Sequence, residues 1–407
     1  MNDFDRELTR RLAALSEQGL LRELRRVDSP QSARIQIAGQ SLLNFSSNDY
    51  LGLATEPALR DAATQAVARY GAGAGSSRLI CGSLAPHHEL DETLAAFKGA
   101  EAALSFTTGY AAALGAIGAL LGKGDVIILD KLVHACIVDA ARLSGATLRV
   151  FAHNDLDDLE ARLKWAGAKA AGGKPRALVV TESVFSMDGD HAPLREIVAL
   201  KERYGAWLMV DEAHATGLYG PHRRGLAEEL GVSDRIEIQM GTLGKALGAA
   251  GGYICGSRAL VDYLVNRART FIFSTAPVPA AAAAATAGIR FVESAAGEER
   301  CRILWQRVAD LSSALGFQPS TLNPQAPTIP SAILPLILGD EAKAMAAASA
   351  LREQGIFIPA IRYPAVPRGR ARLRLTVTAA HTPADLAQLR TALQSLDFGF
   401  RVSDFGS

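Results

Sequence analysis

The chain has 407 residues, enough for about two or three domains, and its 49% hydrophobic and 21% charged residues are ordinary globular values. This composition excludes a disordered, collagenous or disulfide-scaffold protein. Lys and Arg number 43 against 42 Asp and Glu, so the net charge is +1 and there is no basic excess to bind a nucleic acid.

The cysteines and the apolar segments bear on the cellular compartment. No CxxC occurs among Cys81, Cys136, Cys255 and Cys301, so the sequence predicts neither a metal site nor a redox dithiol, but free buried thiols in a reducing compartment. The N-terminus lacks the apolar core of a signal peptide, and no uncharged apolar stretch reaches about 20 residues. We therefore expect a cytoplasmic protein without a membrane span.

The N-terminal segment predicts a helix, a short strand and a turn-rich stretch. Leucines recur at helical spacing and predict an amphipathic helix over residues 4–26. The sequence ARIQIAG (33–39) is strand-like, and LLNFSSNDYLGLA (42–54) is rich in turn residues. Residues 1–50 are accordingly predicted as an N-terminal helix and arm.

The middle of the chain alternates strand and helix patterns. Apolar strands are predicted at 125–130, 147–153, 176–185, 206–213, 236–242 and 251–257. Helical patterns lie between most of them, for example Ala192–Tyr204. Nearly continuous apolar strands indicate a sheet covered by helices on both faces, so residues 51–290 are predicted as an α/β domain with a large, mainly parallel sheet. Ligands of such sheets bind at the carboxyl ends of the strands.

Beyond residue 290 the pattern is that of a smaller C-terminal α+β domain, residues 291–407. Strands and helices are predicted at 331–338, 340–354, 356–366, 372–378 and 383–396. The Pro-rich stretch 317–330 predicts an irregular connector, and the Ala-rich run 276–291 predicts a buried helix.

Two predicted strand ends carry groups of clear chemical use. Asp211 and His214 follow the strand LMV, and a carboxylate at a buried strand end is costly unless a cation meets it, such as a protonated ring nitrogen of a cofactor. The alternative for Asp211 is a helix or turn cap. Lys245 lies in the Gly-rich apolar turn GTLGKALGAAGG, where a low dielectric lowers the pKa of an amine and makes it nucleophilic. The alternative is a surface lysine; a GxxxxGK[ST] phosphate loop does not fit the spacing.

The segment FTTGYAAALGAIGAL (106–120) predicts a helix whose first N–H groups could hold a phosphate, with Thr108 as its cap. The Gly-rich stretch 71–82 follows no clear strand and precedes no clear helix, so it supports no dinucleotide fingerprint. His134, Glu182 and Ser186 also follow strands and are individually weak signals.

Together these strand ends favour pyridoxal phosphate (PLP). An aspartate and then a lysine about 34 positions later, both at strand ends, suit a cofactor whose ring nitrogen Asp211 keeps protonated and whose aldehyde Lys245 binds. A helix N-terminus would hold the phosphate.

At these motifs the sequence resembles the α-oxoamine synthases, which are fold-type I PLP transferases. TESVFSMDGDHAPL, WLMVDEAHATGLYG, GTLGKALGAAGGY and FIFSTAPVP carry the resemblance, which extends over almost the whole chain. It implies that the protein joins an amino acid to an acyl thioester with loss of carbon dioxide. The segments RVFAHNDLDDLE and PAIRYPAVPRGRARLRLTVTAAHT are most similar to members that use L-alanine and a pimeloyl thioester, on CoA or on a carrier protein.

The resemblance also implies roles for individual cofactor-site residues. Lys245 matches the Schiff-base lysine, Asp211 the partner of the pyridine nitrogen, and His134 the histidine stacked on the ring. His214 and Ser186 match contacts near the phenolic oxygen. The phosphate contacts correspond to Gly109, Tyr110 and Thr242, and in the partner subunit to Ser274 and Thr275, which implies a homodimer with shared sites.

The substrate residues implied by the resemblance are Asn48 and Arg374, for the amino acid carboxylate, and Arg22, for substrate binding. One departure is Ala365, where the pattern often has a threonine that contacts the acyl group. Three alternatives remain: a synthase that uses glycine or serine with another acyl group, a different fold-type I reaction such as transamination, and a non-catalytic α/β binding protein.

Overall fold

The computed structural model describes residues 1–168, 176–316 and 329–396. The α-helices are α1 Asp3–Glu17, α2 Pro57–Tyr70, α3 Ala85–Lys98, α4 Gly109–Leu120, α5 Ala135–Ser144, α6 Leu156–Ala168, α7 Leu194–Tyr204, α8 Leu226–Glu229, α9 Arg258–Arg267, α10 Arg269–Ile272, α11 Pro279–Glu293, α12 Ala295–Leu315, α13 Glu341–Glu353 and α14 Pro383–Gln394. The strands are β1 Arg34–Ile37, β2 Gln40–Asn44, β3 Ala102–Phe106, β4 Val126–Asp130, β5 Thr147–Phe151, β6 Ala177–Glu182, β7 Trp207–Asp211, β8 Ile238–Thr242, β9 Gly252–Gly256, β10 Ile333–Gly339, β11 Ile356–Phe357, β12 Ala360–Ile361 and β13 Ala371–Thr376.

A seven-stranded sheet forms the centre of the molecule. Its strand order is β3-β9-β8-β7-β6-β4-β5, and only β9 runs antiparallel to its neighbours. The six strands predicted between residues 125 and 257 are all present in it. The predicted fold class, a large mainly parallel sheet with helices and a smaller α+β part, is confirmed.

Both faces of the central strands of this sheet are buried, and alternate side chains of a strand point to opposite sides. In β4, Val126 and Ile128 belong to one core cluster, which includes side chains of α3, α6 and α7. Ile127 and Leu129 belong to a second cluster, which includes side chains of α4, α5 and α9. The strand therefore has apolar residues at consecutive positions, as the sequence showed.

The N-terminal helix is shorter than predicted. The expectation of a helix over residues 4–26 is wrong beyond Glu17, because Gly19 adopts a left-handed conformation (φ 65°) that ends the helix. No residue of α1 is buried, and its apolar positions Leu8 and Leu12 are 41% and 52% exposed. Within one chain this amphipathic helix therefore has no core to pack on.

Residues 40–44, expected to be turn-rich in part, form β2, which pairs with β1 and with β11 from the C-terminal part. The first arm thus shares a sheet with the end of the chain, while the domain boundaries at 50 and 290 stay a prediction. The remaining small sheet has the order β10-β13-β12. The Ala-rich run forms α11 as predicted, whereas residues 317–328 of the predicted connector lie outside the described residues.

Three further expectations meet the structure differently. The strand β3 was not predicted, and the Gly-rich stretch 71–82 ends in a π-helical turn at Arg78–Gly82 and is followed closely by the helix α3. The expectation of four buried thiols is wrong for Cys81, which is exposed on that turn; the other three are buried.

Across residues 1–168, 176–316 and 329–396 no helix is both long and apolar enough to span a membrane.

Candidate active site

The candidate site lies at the carboxyl ends of β6, β7 and β8. Glu182 and Asp211 close β6 and β7 side by side in the parallel register, and Thr242 closes β8. The turn that carries Lys245 follows β8 directly. Parallel strands thus deliver to one edge of the sheet the groups that the sequence distributes over about sixty positions.

Lys245 is held in a tight turn of the backbone. Its carbonyl accepts a hydrogen bond of 2.9 Å from the N–H of Gly248, a left-handed residue with φ 67°. A side chain at position 248 would also meet Leu53 at 2.5 Å. Burial lowers the pKa of the Lys245 amine to about 8, against the opposing effect of Asp211 and Glu182. Close to neutral pH a usable fraction of this amine is uncharged.

A chain of three polar groups runs through His214. Its Nε2 lies 2.8 Å from the Lys245 Nζ, and its Nδ1 lies 2.5 Å from the Tyr50 Oη. Burial is the main cause that lowers the pKa of His214, so the ring is neutral and carries its proton on one nitrogen at a time. Burial raises the pKa of Tyr50 to about 12, so its hydroxyl keeps its proton. The neutral His214 ring therefore links the Tyr50 hydroxyl on one side to the Lys245 amine on the other.

Asp211 is buried and has a carboxylate oxygen available for a ligand. Its Oδ1 accepts a hydrogen bond of 2.9 Å from the Ala213 N–H, whereas its Oδ2 accepts none from the residues that the structure describes. Burial raises the pKa of Asp211, and the charge of Lys245 opposes that effect. The adjacent Glu212 is engaged elsewhere, since it pairs with the buried Lys98 at 2.5 Å. The carboxylate of Asp211 is therefore placed to bind a cationic partner through its Oδ2.

Glu182 anchors the segment that carries His134. Its Oε1 accepts a hydrogen bond of 2.5 Å from the backbone N–H of His134, which caps α5. Burial and the neighbouring Asp211 raise the pKa of Glu182 to about 8. Burial is also the main cause that lowers the pKa of His134. Glu182 has no firm role in the sequence-based prediction, whereas in the structure it bonds to His134 on the loop between β4 and α5.

The start of α4 and the end of β8 form a cradle of small residues. A side chain at Gly252 would lie 2.5 Å from the Cα of Gly109, and a Cβ at Gly109 would lie 3.8 Å from that of Thr242. Thr242 donates its hydroxyl to the Gly251 carbonyl at 2.9 Å. Next to Gly109, the Tyr110 ring is 43% exposed, and its hydroxyl bonds to Asp139, which raises its pKa. Gly109 and Thr242 are thus brought together at a helix N-terminus.

Arg374 approaches the same centre from β13. Its Nε donates to the carbonyl of Ser186, and its Nη1 donates to the Thr376 Oγ1 at 3.0 Å. Its positive charge contributes to the lowered pKa values of both Lys245 and His214.

Asn48 reaches this centre through Tyr50, whose Oη lies 3.5 Å from the Asn48 Oδ1. Asn48, Ser186 and Arg374 therefore join the predicted centre.

Three predicted residues lie elsewhere in the single chain. Thr275 forms an isolated bridge with Ser77, and the neighbouring Ser274 is half-buried. Arg22 is exposed beyond α1, where it lines a cleft of about 580 Å³ that Ala365 also lines. The described contacts do not connect these residues to Lys245.

The residues at the sheet edge fit PLP. An amine near neutrality, a buried carboxylate with an available oxygen and a glycine-lined helix start correspond to the aldehyde, the ring nitrogen and the phosphate of that cofactor. The Oδ2 of Asp211 is the observation that decides the fit, because it accepts no hydrogen bond from the described residues and so is open to a cationic partner.

Sequence reasoning missed Tyr50 as a site residue and gave Glu182 no firm role. Tyr50 lies in a turn-rich segment where no periodicity marks it, and only its position two residues after Asn48 in a segment of the resemblance could have drawn attention to it. Glu182 was noticed at a strand end, but a buried carboxylate that binds backbone N–H groups has no sequence signature.

Comparisons with known proteins identify the family of the chain. The sequence profile described as aminotransferase class I and II matches residues 40–393. The 8-amino-7-oxononanoate synthase of Herminiimonas arsenicoxydans is 46% identical over 392 residues, covering 95% of this chain and 98% of that protein.

Solved structures give the same assignment of fold. Serine palmitoyltransferase from S. paucimobilis with bound PLP-myriocin has a TM-score of 0.87 at 31% identity and covers 99% of this chain and 100% of its own. The 8-amino-7-oxononanoate synthase of Francisella tularensis has a TM-score of 0.70 at 27% identity, with 87% of this chain and 96% of its own covered.

Proposed function

The chain belongs to the aminotransferase class I and II family, whose α-oxoamine synthases it resembles, and on that premise we propose that it condenses L-alanine with a pimeloyl thioester. The products are 8-amino-7-oxononanoate, carbon dioxide and the free thiol, and the thioester is carried by CoA or by a carrier protein. The similarity to 8-amino-7-oxononanoate synthases over nearly the whole chain supports this substrate pair.

The observation that carries the proposal is the position of Lys245 beside neutral His214 and near the buried Asp211. Bound PLP supplies an electron sink that stabilises negative charge at the α-carbon of the amino acid. Lys245 would hold the cofactor and, as a free amine of pKa about 8, would take the proton from the α-carbon. Asp211 would keep a positive charge on the cofactor ring, and His134 would help to hold the ring.

Arg374 and Asn48 hold the carboxylate of L-alanine, which orients the α-hydrogen toward Lys245. The nucleophilic α-carbon then attacks the thioester carbonyl and the thiolate leaves. The resulting β-keto acid loses carbon dioxide, and Lys245 returns a proton to the α-carbon. Atoms balance as alanine plus pimeloyl thioester giving the amino ketone, carbon dioxide and thiol.

A substrate panel tests the proposal. Alanine, glycine and serine are each paired with acetyl-, pimeloyl- and palmitoyl-CoA, and free thiol release is followed. We expect the highest kcat/KM for alanine with pimeloyl-CoA, by about tenfold or more over every other pair, because each extra methylene contact or missing group is worth about 1–3 kcal/mol. Faster thiol release with any other pair contradicts the proposed substrates.

A second candidate is a serine palmitoyltransferase-like activity. It is favoured by one observation, the higher TM-score with that enzyme than with the Francisella tularensis synthase. The serine and palmitoyl-CoA pair of the panel addresses it directly. Sequence identity favours the first candidate, at 46% against 31%.

The cleft around Arg22 supports binding of the acyl donor. It is lined by arginines on three segments together with apolar side chains: Arg22, Arg25, Arg352, Arg362, Phe357, Ile358 and Ala365. Positively charged side chains beside apolar ones suit an acyl chain that ends in a carboxylate, and they also suit a carrier that bears a phosphate. Ala365 offers no hydroxyl to the acyl group, so we expect these arginines to recognise it.

Replacing Arg22 with alanine should raise the KM for pimeloyl-CoA about tenfold, as expected for loss of one charge-assisted hydrogen bond, and leave the KM for alanine unchanged. Steady-state kinetics with each substrate varied measure this split. Arg11→Ala is the matched control, because Arg11 is exposed on α1 and pairs only with Glu7 at 2.8 Å. An unchanged KM for pimeloyl-CoA would remove Arg22 from the acyl site.

The proposal includes a homodimer. Thr275 and Ser274 do not meet Lys245 in one chain, and the exposed apolar side chains Ile80 and Phe273, at 79% and 71%, lie on the two segments that the Ser77–Thr275 bridge joins. An exposed apolar patch of this kind suits contact with a second copy of the chain. In that dimer the hydroxyls of Ser274 and Thr275 would complete the phosphate cradle of the second copy.

A further inference from the structure

A histidine outside the cofactor centre lies between two carboxylates. The Nδ1 of His153 is 2.9 Å from the Asp130 Oδ1, and its Nε2 is 2.7 Å from the Asp190 Oδ2. A carboxylate only accepts hydrogen bonds, so a ring that bonds carboxylates through both nitrogens carries a proton on each and is an imidazolium. Burial alone would lower the pKa of His153, but the bonds to Asp130 and Asp190 outweigh it and raise the pKa to about 10.

One end of this arrangement is fixed to the sheet. Asp130 is the last residue of β4 and is 1% exposed. Its Oδ1 also accepts the Leu132 N–H at 2.8 Å, and its Oδ2 accepts the Asn154 N–H at 2.9 Å. His153 itself comes two residues after β5, the neighbour of β4. The ring is therefore held from the rigid part of the molecule.

The other end is a tight turn that follows β6, residues 184–191. A bridge between Val184 and His191 closes it, and the Phe185 N–H donates to the Asp190 carbonyl at 3.0 Å. The Phe185 ring packs edge-on against the His153 ring, with centroids 4.4 Å apart. Besides His153, the Asp190 Oδ2 accepts the Asn154 amide at 3.1 Å.

The far side of the same turn binds the C-terminal part of the chain. The carbonyl of Ser186 accepts from Arg374, and the carbonyl of Met187 accepts from Arg372 at 3.0 Å. Arg372 also pairs with Asp188 at 2.6 Å. The turn therefore holds the Arg374 guanidinium from one side, while Thr376 on β13 holds it from the other.

We propose that His153 is a positioning residue for amino acid binding, because its imidazolium ties the 184–191 turn to the end of β4 and so fixes the carbonyl that orients Arg374. The inference rests on the proposed role of Arg374 toward the substrate carboxylate. It assigns His153 no contact with substrate. The charged groups that face the ring in the described chain are Asp130 from β4 and Asp190 from the turn, while Phe185 and Asn154 are neutral.

Two substitutions separate a charge tie from simple packing. His153→Phe keeps a ring against Phe185 but donates no hydrogen bond, whereas His153→Lys keeps a cation that donates to carboxylates and loses the ring. We expect His153→Phe to raise the KM for L-alanine about tenfold or more with the KM for the acyl donor unchanged, and His153→Lys to recover most of that loss. If His153 acts only by packing, His153→Phe should raise the KM for L-alanine less than His153→Lys does, and that result would overturn the proposal.

The control is His222→Phe, because His222 makes a similar contact with one carboxylate, Glu228 at 2.7 Å, but on the surface. Asp190→Asn keeps the inference testable if His153→Phe does not fold, since it removes the charge at the turn and should raise the same KM. The double variant should cost little more than the larger single effect, because both substitutions break one tie. Fully additive effects would contradict it.

The pH dependence of stability gives an independent readout. A histidine whose pKa is raised from 6.5 to about 10 by folding contributes stability that is complete below pH 6.5 and is lost as the pH rises toward 10. The difference in unfolding free energy between wild type and His153→Phe, measured in urea, should shrink between these pH values. A constant difference would show that a charged His153 does not link the 184–191 turn to the end of β4. Wild-type turnover on the substrate panel tests the proposed function separately, so failure of either is recognised by itself.

Discussion

Substituting Lys245 with alanine should abolish turnover and leave a protein that purifies without a visible-region cofactor band. The loss should be on the order of 10⁴-fold or more, because one side chain both binds the cofactor and transfers the proton at the α-carbon. The surroundings of Lys245 explain why no other lysine replaces it. Its amine lies 2.8 Å from neutral His214 and has a pKa of about 8, whereas a lysine on the surface stays protonated.

Absorbance spectra of the purified protein and thiol release assays measure both effects. Lys343→Ala is the matched control, since Lys343 is exposed on α13 and should leave the spectrum and the rate unchanged. Near-normal turnover by the Lys245→Ala protein would end the account of the site. A folded variant is verified by its circular dichroism.

Substituting Asp211 with asparagine should leave a protein that still binds PLP but turns over about a hundredfold to a thousandfold more slowly. Removing a preorganised charge beside developing negative charge typically costs this much. Asp211 is suited to that role because it is buried, keeps an available oxygen and has its neighbour Glu212 neutralised by Lys98. Asparagine keeps the shape of the side chain but not the charge that keeps the ring nitrogen protonated.

The turnover number and the cofactor content of the variant are measured together. Asp61→Asn, an exposed position on α2, makes the same chemical change away from the site and should have no effect. An unchanged turnover number in Asp211→Asn at full cofactor content would show that Asp211 does not set the charge of the ring.

The strand ends of the large sheet were predictable because burial on both faces leaves a strong pattern. β4, β6 and β7 are continuous apolar runs, and a polar residue that follows such a run is conspicuous, which identified Asp211. The turn of Lys245 was identified instead by its glycines, since β8 is not a continuous apolar run. The prediction works because a parallel sheet collects its strand ends at one edge whatever their separation in sequence.

The remaining features depend on contacts that no local pattern records. β3, with the sequence AALSF, is too rich in alanine to be distinguished from its surroundings. Tyr50 meets His214 only after folding, across more than a hundred and sixty positions. The end of α1 follows from the left-handed Gly19, since the leucine spacing beyond it continues.

The most direct test of the account is to reduce the PLP-loaded protein with borohydride and locate the modified residue by peptide mass spectrometry. The account predicts one stable pyridoxyl group, on the peptide that contains Lys245, and none on the Lys245→Ala protein. Modification of a different lysine, or a colourless protein that borohydride does not modify, would contradict it.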